Sequence, residues 1–259
     1  MEARRQGVLI GAHIGQEDPL HDARALGLDV VQMFLGNPQS FDKPDPRPDA
    51  RELREGGVPI YVHAPYRLNV CHPSPRIRVP SRKTLAQTVD AAADIGAAGV
   101  IVHGGHAEDD VGEGLTRWWK VFEEREFPTR IIIENTAGGT NAVARYVEQI
   151  ARLWERLADF DVGFCFDTCH AHSAGEDLTD VVERVLAAVG KIDVLHCNDS
   201  RDAPGTGADR HTNIGKGKID VDMLATMVKA SNAPVMILET PWPGVLDDLE
   251  WLRSLIGAS

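Results

Sequence analysis

The sequence predicts an α/β fold, a closed (β/α)8 barrel forming one domain over residues 1–259. Three observations carry the prediction. Eight short runs rich in Val and Ile recur along the chain without clean polar alternation, as in strands buried on both faces of a parallel sheet. Apolar stripes at helical spacing fill most of the gaps, and strands alternating with helices build right-handed βαβ units. The length of 259 residues is also that of one such barrel, which commonly takes ~250. An open, doubly wound parallel sheet is the alternative.

Taken in order, the strand-like runs cover 8–15, 30–35, 60–64, 100–103, 131–134, 162–167, 192–196 and 235–239. Between the third and fourth, Ser81 reads as an N-cap, and Leu85, Val89, Ala92 and Ile95 follow at helical spacing. Val143, Val147, Ile150, Leu153 and Leu157 make a second stripe, and Leu178, Val182, Val185 and Val189 a third. Val221, Leu224 and Val228 make a fourth, and Leu249, Leu252 and Ile256 the last. The Pro-rich stretch 42–48 reads as a surface loop, and no shift in composition marks a domain boundary. Trp118, Trp119 and Trp154 read as helix-surface packing.

Composition narrows the class of protein. With 27 Lys+Arg against 39 Asp+Glu, the formal charge is −12, and 43% of residues are hydrophobic, which fits a globular chain rather than a disordered one. No apolar run approaches the ~20 residues of a membrane helix. The opening MEARRQGVLIG is too short and polar for a secretory leader, so a cytoplasmic location is expected. No heptad or wide apolar stripe argues for an oligomer, and a monomer is expected. Cys71, Cys165, Cys169 and Cys197 read as buried free thiols. So acidic a chain does not bind nucleic acid through its overall field; such a partner needs a local site.

Function in a barrel of this kind lies at the C-terminal strand ends. These read VHAP (His63), VHGGH (His103), IENTAG (Glu134), FDTCH (Asp167 and His170), HCNDS (His196) and LETPWP (Glu239), and DRH after the seventh run adds Asp209 and His211. A lone His or carboxylate at a strand end is ordinarily structural. Six consecutive ends offering such groups to one mouth are a different matter. Four carboxylates converging there repel one another and resist desolvation unless cations compensate them. Nitrogen and carboxylate donors suit zinc, manganese or iron. Nine donors are too many for one ion, and three ions of four or five ligands account for them.

IENTAG, FDTCHAHSAGEDL, LHCNDS and DRHTNIGKG, in this order and spacing, resemble the endonuclease IV family of apurinic/apyrimidinic endonucleases, above all its shorter actinobacterial members. The likeness runs from GAHIG to LETPWP. It implies a xylose-isomerase-like TIM barrel with three zinc ions per chain, Mn2+ being an occasional substitute. By motif, His63 and His103 go to the first ion. Glu134 bridges the first and second and orients the attacking hydroxide. Asp167, His196 and Glu239 complete the second, and His170, Asp209 and His211 hold the third. The implied reaction is a DNA-repair step: hydrolysis of the phosphodiester 5′ to an abasic site in duplex DNA, leaving a 3′-hydroxyl and a 5′-deoxyribose phosphate. Trimming of 3′ ends is a candidate further activity.

Two positions depart from the family pattern: Gln39 stands where many members have Arg, and Arg67 follows Tyr66 where many have Leu. For DNA, Tyr66 is assigned to the opened base stack and Asn37 and Gln39 to the minor groove. Arg67, Arg76, Arg78, Arg82 and Lys83 in one predicted loop, with Arg201, Arg210, Lys216 and Lys218 in another, form a phosphate-tracking rim. His13 and His106 are expected to support the centre from behind, and Trp242 to line it. The rival reading is a sugar isomerase or epimerase that uses Glu134, Asp167, His196 and Glu239 alone. A second rival is a catalytically silent protein that binds metal or damaged DNA.

Overall fold

The computed structural model describes residues 7–257. The chain alternates β1 (Leu9–His13), α1 (Pro19–Ala25), β2 (Val30–Met33), α2 (Ala50–Glu55), β3 (Ile60–His63), α3 (Pro75–Asp94), β4 (Gly99–His103), α4 (Val111–Glu123), β5 (Ile131–Glu134) and α5 (Val147–Arg156). It continues through β6 (Val162–Asp167), α6 (Thr168–Ala174), α7 (Val181–Val189), β7 (Val194–His196), β8 (Asp199–Ser200), β9 (His211–Thr212), α8 (Val221–Ser231), β10 (Val235–Leu238) and α9 (Val245–Gly257). Strands β1 to β7 and β10 pair in parallel around a closed ring, with β10 between β1 and β7. Closure excludes the open sheet. It also requires β1 and β2 to lie close: a Cβ on Gly11 would sit 1.7 Å from the Val30 carbonyl oxygen, so only glycine fits.

The strands carry two layers of core. Outward side chains such as Val100, Val102, Ile131, Ile133, Phe164 and Phe166 pack under the helices. Inward side chains Val30, Ile101, Ile132, Cys165, Val194, Val235 and Ile237 fill the barrel lumen. Strand side chains alternate with period two. One step beyond this inner layer, the same inward face therefore presents His103 after Ile101, Glu134 after Ile132, Asp167 after Cys165, His196 after Val194 and Glu239 after Ile237. The register levels them: His103 pairs with Glu134, and Asp167 with His196. The pleat and the common register thus build one polar floor above an apolar plug.

Several sequence expectations need correction. Helix α3 begins at Pro75 after Ser74, not at Ser81, and Pro80 lies inside it. Pro80 falls within its second turn. Ser81 is buried, donating from Oγ to Ile77 O at 2.8 Å and accepting from Asn69 N–H at 2.9 Å. Val143 and Leu178 precede their helices rather than belonging to them. Trp118 is not at the helix surface but fully buried, its Nε1–H donating to Gly104 O at 2.7 Å. The four cysteines are free and buried. Among the described residues, no helix is long and apolar enough to cross a membrane.

Candidate metal centre

The floor of the mouth gathers all nine donors singled out from the strand ends and the DRH segment. Nε2 of His63 and Nε2 of His103 each lie 3.3 Å from Glu134 Oε2. On the other side of the same carboxylate, His196 Nδ1 is 2.9 Å from Oε1, and that nitrogen is 3.2 Å from Glu239 Oε2. His170 Nε2 and His211 Nε2 reach one oxygen of Asp209, at 3.1 and 3.2 Å. Among the described residues, four sets drawn from these nine hold donor atoms within 4.8 Å of one another: His63, His103 and Glu134; Glu134, Asp167, His196 and Glu239; His103, His170 and Asp209; and Asp167, His170 and His211. The third predicted set is thus spread. His170, Asp209 and His211 converge through Asp209, with His103 and Asp167 at its borders. Sequence reading did not foresee Cys165, whose sulfur falls within the same distance of Glu134 and His196.

These spacings fit divalent ions. Tetrahedral donors at about 2.0–2.1 Å from zinc stand about 3.3 Å apart. Nε2 of His170 and of His211 are buried without a hydrogen-bond partner, although an Asp209 oxygen lies close to each. Their lone pairs aim beside the oxygen, as ligands of a common ion do. The tautomers agree. A carbonyl only accepts, so His63 Nδ1–H donates to Ala64 O at 2.7 Å and His170 Nδ1–H to Asn135 O at 2.8 Å, leaving each Nε2 free to ligate.

The local structure explains the D-x-x-H spacing. Asp167 ends β6 and caps α6, its Oδ1 accepting from His170 N–H at 2.6 Å, so His170 stands at the third helical position beside its own cap. The other oxygen accepts from Asn198 Nδ2 at 2.7 Å. Asn198 also donates to Glu239 Oε2 at 3.2 Å and accepts from its backbone N–H at 2.9 Å. Asn135 clasps the backbone of Asp167 at both ends, at 2.6 and 3.0 Å. Asn135 and Asn198 stand next to predicted ligands in IENTAG and HCNDS, but an asparagine there is indistinguishable by type from a turn residue.

Charge is coupled across the floor. Burial opposes ionisation of Glu134, but His196 and His103 outweigh it and hold the carboxyl well below the usual carboxylate range. Burial likewise opposes ionisation of Glu239, yet His196 and the other imidazoles bring it down to about 2. For His170, burial is outweighed by Asp167 and Asp209, which raise it well above an ordinary histidine. His196 is raised likewise by Cys165, Glu239 and Glu134 against its burial. His211, buried beside Asp167, is pushed up to about 10. His13 goes the other way, pushed down to about 4 by burial with His63, His196 and His211 adding to it.

The predicted DNA-facing residues occupy the rim unevenly. Tyr66 is 45% exposed and stands over the floor, its ring 5.4 Å from His63 and 6.0 Å from His103. Asn37 Oδ1 accepts from Gln39 N–H at 2.9 Å, which shapes the loop after β2. Arg67 donates to Gln39 O at 3.2 Å and lies over the Phe41 ring at 5.0 Å. Arg210 is engaged by both carboxylate oxygens of Asp202. Lys216 is exposed on the turn after Asn213. Arg76, Arg78, Arg82 and Lys83 lie on α3 rather than in a loop, and Arg82 turns onto α4 to pair with Glu124 at 3.3 Å. His106 stands beside His72 and Glu108 and lines a cavity with the donors His103, His170 and Asp209. His13 and Trp242 line a cavity of about 530 Å³ together with Phe34, Tyr66, His211 and Glu239.

A closed parallel barrel with a floor of clustered imidazoles and carboxylates defines a barrel protein built to hold metal ions. The family model described as xylose isomerase-like TIM barrel matches residues 20–255. The "Probable endonuclease 4" of Mycobacterium tuberculosis is 53% identical over 253 residues, covering 97% of this chain and all of that one. That of Mycobacterium marinum is 51% identical with the same coverage. Among solved structures, endonuclease IV from Thermus thermophilus matches with a TM-score of 0.83 at 29% identity, over 97% of this chain and all of that one. The chain belongs to the endonuclease IV family of xylose isomerase-like TIM barrels.

Proposed function

We propose that the protein is a DNA-repair hydrolase that cleaves the phosphodiester 5′ to an abasic site in duplex DNA, working as a monomer in the cytoplasm with three zinc ions. The products are a 3′-hydroxyl and a 5′-deoxyribose phosphate. Trimming of blocked 3′ ends uses the same chemistry, and Mn2+ is a substitute ion. The observation that carries this reading is the size of the donor set. A sugar isomerase or epimerase needs only the quartet Glu134, Asp167, His196 and Glu239. Here His63 and His103 adjoin one side of that quartet, and His170, Asp209 and His211 the other. Such a row suits a phosphodiester, whose attacked phosphorus, non-bridging oxygens and leaving oxygen all carry or develop charge.

When bound, zinc supplies a nucleophile near neutral pH by lowering the pKa of bound water to ~7, and it neutralises phosphate charge. The chain's own groups do the rest. Glu134, reached from both sides by imidazoles, orients the nucleophile. Asp209 is the most exposed of the nine donors, which suits it to the end of the row nearest the leaving 3′ oxygen. Tyr66, Phe34 and Trp242 wall the neighbouring cavity, where an abasic sugar freed from stacking fits at low cost. Burial, with Glu239 and Asp209 nearby, raises the Tyr66 phenol, so it stays neutral beside the phosphate.

The test is incision of an end-labelled duplex carrying one abasic analogue, with and without chelator and with zinc restored. Cleavage at the analogue that chelator abolishes and zinc restores is expected. Zinc-replete protein with no incision, or incision of undamaged duplex at the same rate, would overturn the reading. Metal content of about three zinc per chain separates it from the isomerase, for which one or two suffice.

A further inference from the structure

Gln32 lies fully buried in β2, a four-residue strand that is otherwise Val, Val and Met. By strand alternation it faces the lumen one step above Val30, in the same layer as the metal donors. Its amide touches three of the groups there. Nε2 lies 2.6 Å from Glu239 Oε1 and 2.9 Å from His13 Nδ1, and Oε1 lies 2.8 Å from His196 Nε2. The orientation of the amide follows from the chemistry of these partners. An ionised carboxylate only accepts, so the amide NH2 must face Glu239, and the amide oxygen is left facing His196. That oxygen only accepts, so His196 carries its proton on Nε2. Nδ1 is then the ligating nitrogen, and it is the atom that lies 2.9 Å from Glu134 Oε1 and 3.2 Å from Glu239 Oε2.

We infer that Gln32 is a positioning residue of the metal centre: its amide fixes His196 in the Nδ1-ligating tautomer and aims Glu239, so both serve the ion they share with Asp167. For His63 and His170 the same task falls to backbone carbonyls, which set the opposite, Nε2-ligating tautomer. His196 is the one of these three whose tautomer rests on a side chain. A carboxamide suits the position because it both accepts from an imidazole and donates to a carboxylate without adding charge. The second N–H of Gln32 goes to His13 Nδ1, which ties the cavity wall to the same amide.

The inference rests on the zinc reading above, and the experiment separates the two. Gln32→Leu removes both functions of the amide, whereas Gln32→Glu keeps the acceptor for His196 but loses the donor to Glu239 and adds a repelling charge. Zinc per chain is measured after dialysis against a graded chelator series. Loss of a group that hydrogen-bonds a metal ligand weakens metal affinity by ~10–100-fold. By the same factor of about 10–100, both variants should release about one zinc at lower chelator than the native protein and keep the others. Metal-free variants melting at or above the metal-free native protein would show that packing is intact. A native protein that holds no tight zinc overturns the zinc reading; native zinc with unchanged retention in both variants overturns the role of Gln32. Should neither variant fold, nitrogen-15 imidazole spectra of the native zinc protein decide. An Nε2–H tautomer for His196 is expected, and an Nδ1–H tautomer refutes the inference.

Discussion

Loading the centre should expel protons, and the number follows from the floor. In protein stripped of metal, His170 and His196 are held well above an ordinary histidine and His211 at about 10, so all three carry a proton at pH 7. Glu134 and Glu239 are already ionised, the latter titrating at about 2, and bring none. An ion takes the imidazole lone pair that the proton occupies. Zinc uptake at pH 7 should therefore release about three protons per chain from these imidazoles, besides those given up by zinc-bound water. For His211, three units above pH 7 correspond to about 4 kcal/mol of competition at ~1.36 kcal/mol per unit. Apparent affinity at that position should rise about tenfold per pH unit up to pH 10. Calorimetric titration of zinc in two buffers of different ionisation enthalpy measures the release. A release below one proton would refute the charge pairing. The same groups set the stability of the stripped protein. Their folded-state pKa values lie above the unfolded 6.5, so their contribution is fully present below that pH and is lost as pH rises through each raised folded value, about 10 for His211. The melting temperature of stripped protein should fall from pH 7 to 10, while that of zinc-loaded protein should not.

Glu134→Gln leaves an amide with one acceptor oxygen where two were used. Incision should drop by at least ~100-fold, and near-native incision by metal-replete variant would refute the bridging role. At the opposite end of the barrel, Asp193 accepts from Arg130 at 2.6 Å and from Phe164 N–H at 3.0 Å, and pairs with Lys191 at 2.8 Å. Burial opposes its ionisation, but these partners hold it below its ordinary 3.8. Its contribution is present above 3.8 and lost as pH falls through the lower folded value. Asp193→Ala should cost ~1–3 kcal/mol in denaturant melts at pH 7 and less at pH 3, and an equal loss at both would refute the pairing. Arg67→Ala should weaken binding to abasic duplex and make the log–log salt slope less negative by about one, and an unchanged slope would remove Arg67 from the rim.

The two departures from the family pattern turn out to touch. Arg67 donates to the backbone oxygen of Gln39 and covers Phe41. The Arg67 guanidinium thus sits against the backbone of position 39, and the loop after β2 and the loop after β3 meet there. Sequence alone could not join them, because they sit 28 residues apart on loops whose course only the barrel fixes. The same gap explains the misplaced basic loop. Pro80 by itself suggests extended chain before Ser81, and the residues from Arg76 to Lys83 wind into α3 instead, where Arg82 pairs with Glu124.

What is legible in the sequence is whatever a period of two and a residue type state together. Val- and Ile-rich runs locate the strands, and a His or carboxylate one step past an inward Ile or Val locates the floor. That rule needs no tertiary contact, which is why donors such as His103, Glu134, Asp167, His196 and Glu239 can be named from type and position. The same rule, applied without regard to charge, also reaches Gln32, two residues past Val30. A search for metal donors passes over it, because an amide signals no metal chemistry by type. Yet a buried amide in a strand covered on both faces must find partners for its donors and its acceptor, since leaving them unmet costs ~1–3 kcal/mol. In a lumen otherwise apolar, those partners can only be other members of the polar floor. A single Gln inside an aliphatic barrel strand is thus a positional statement about the site above it.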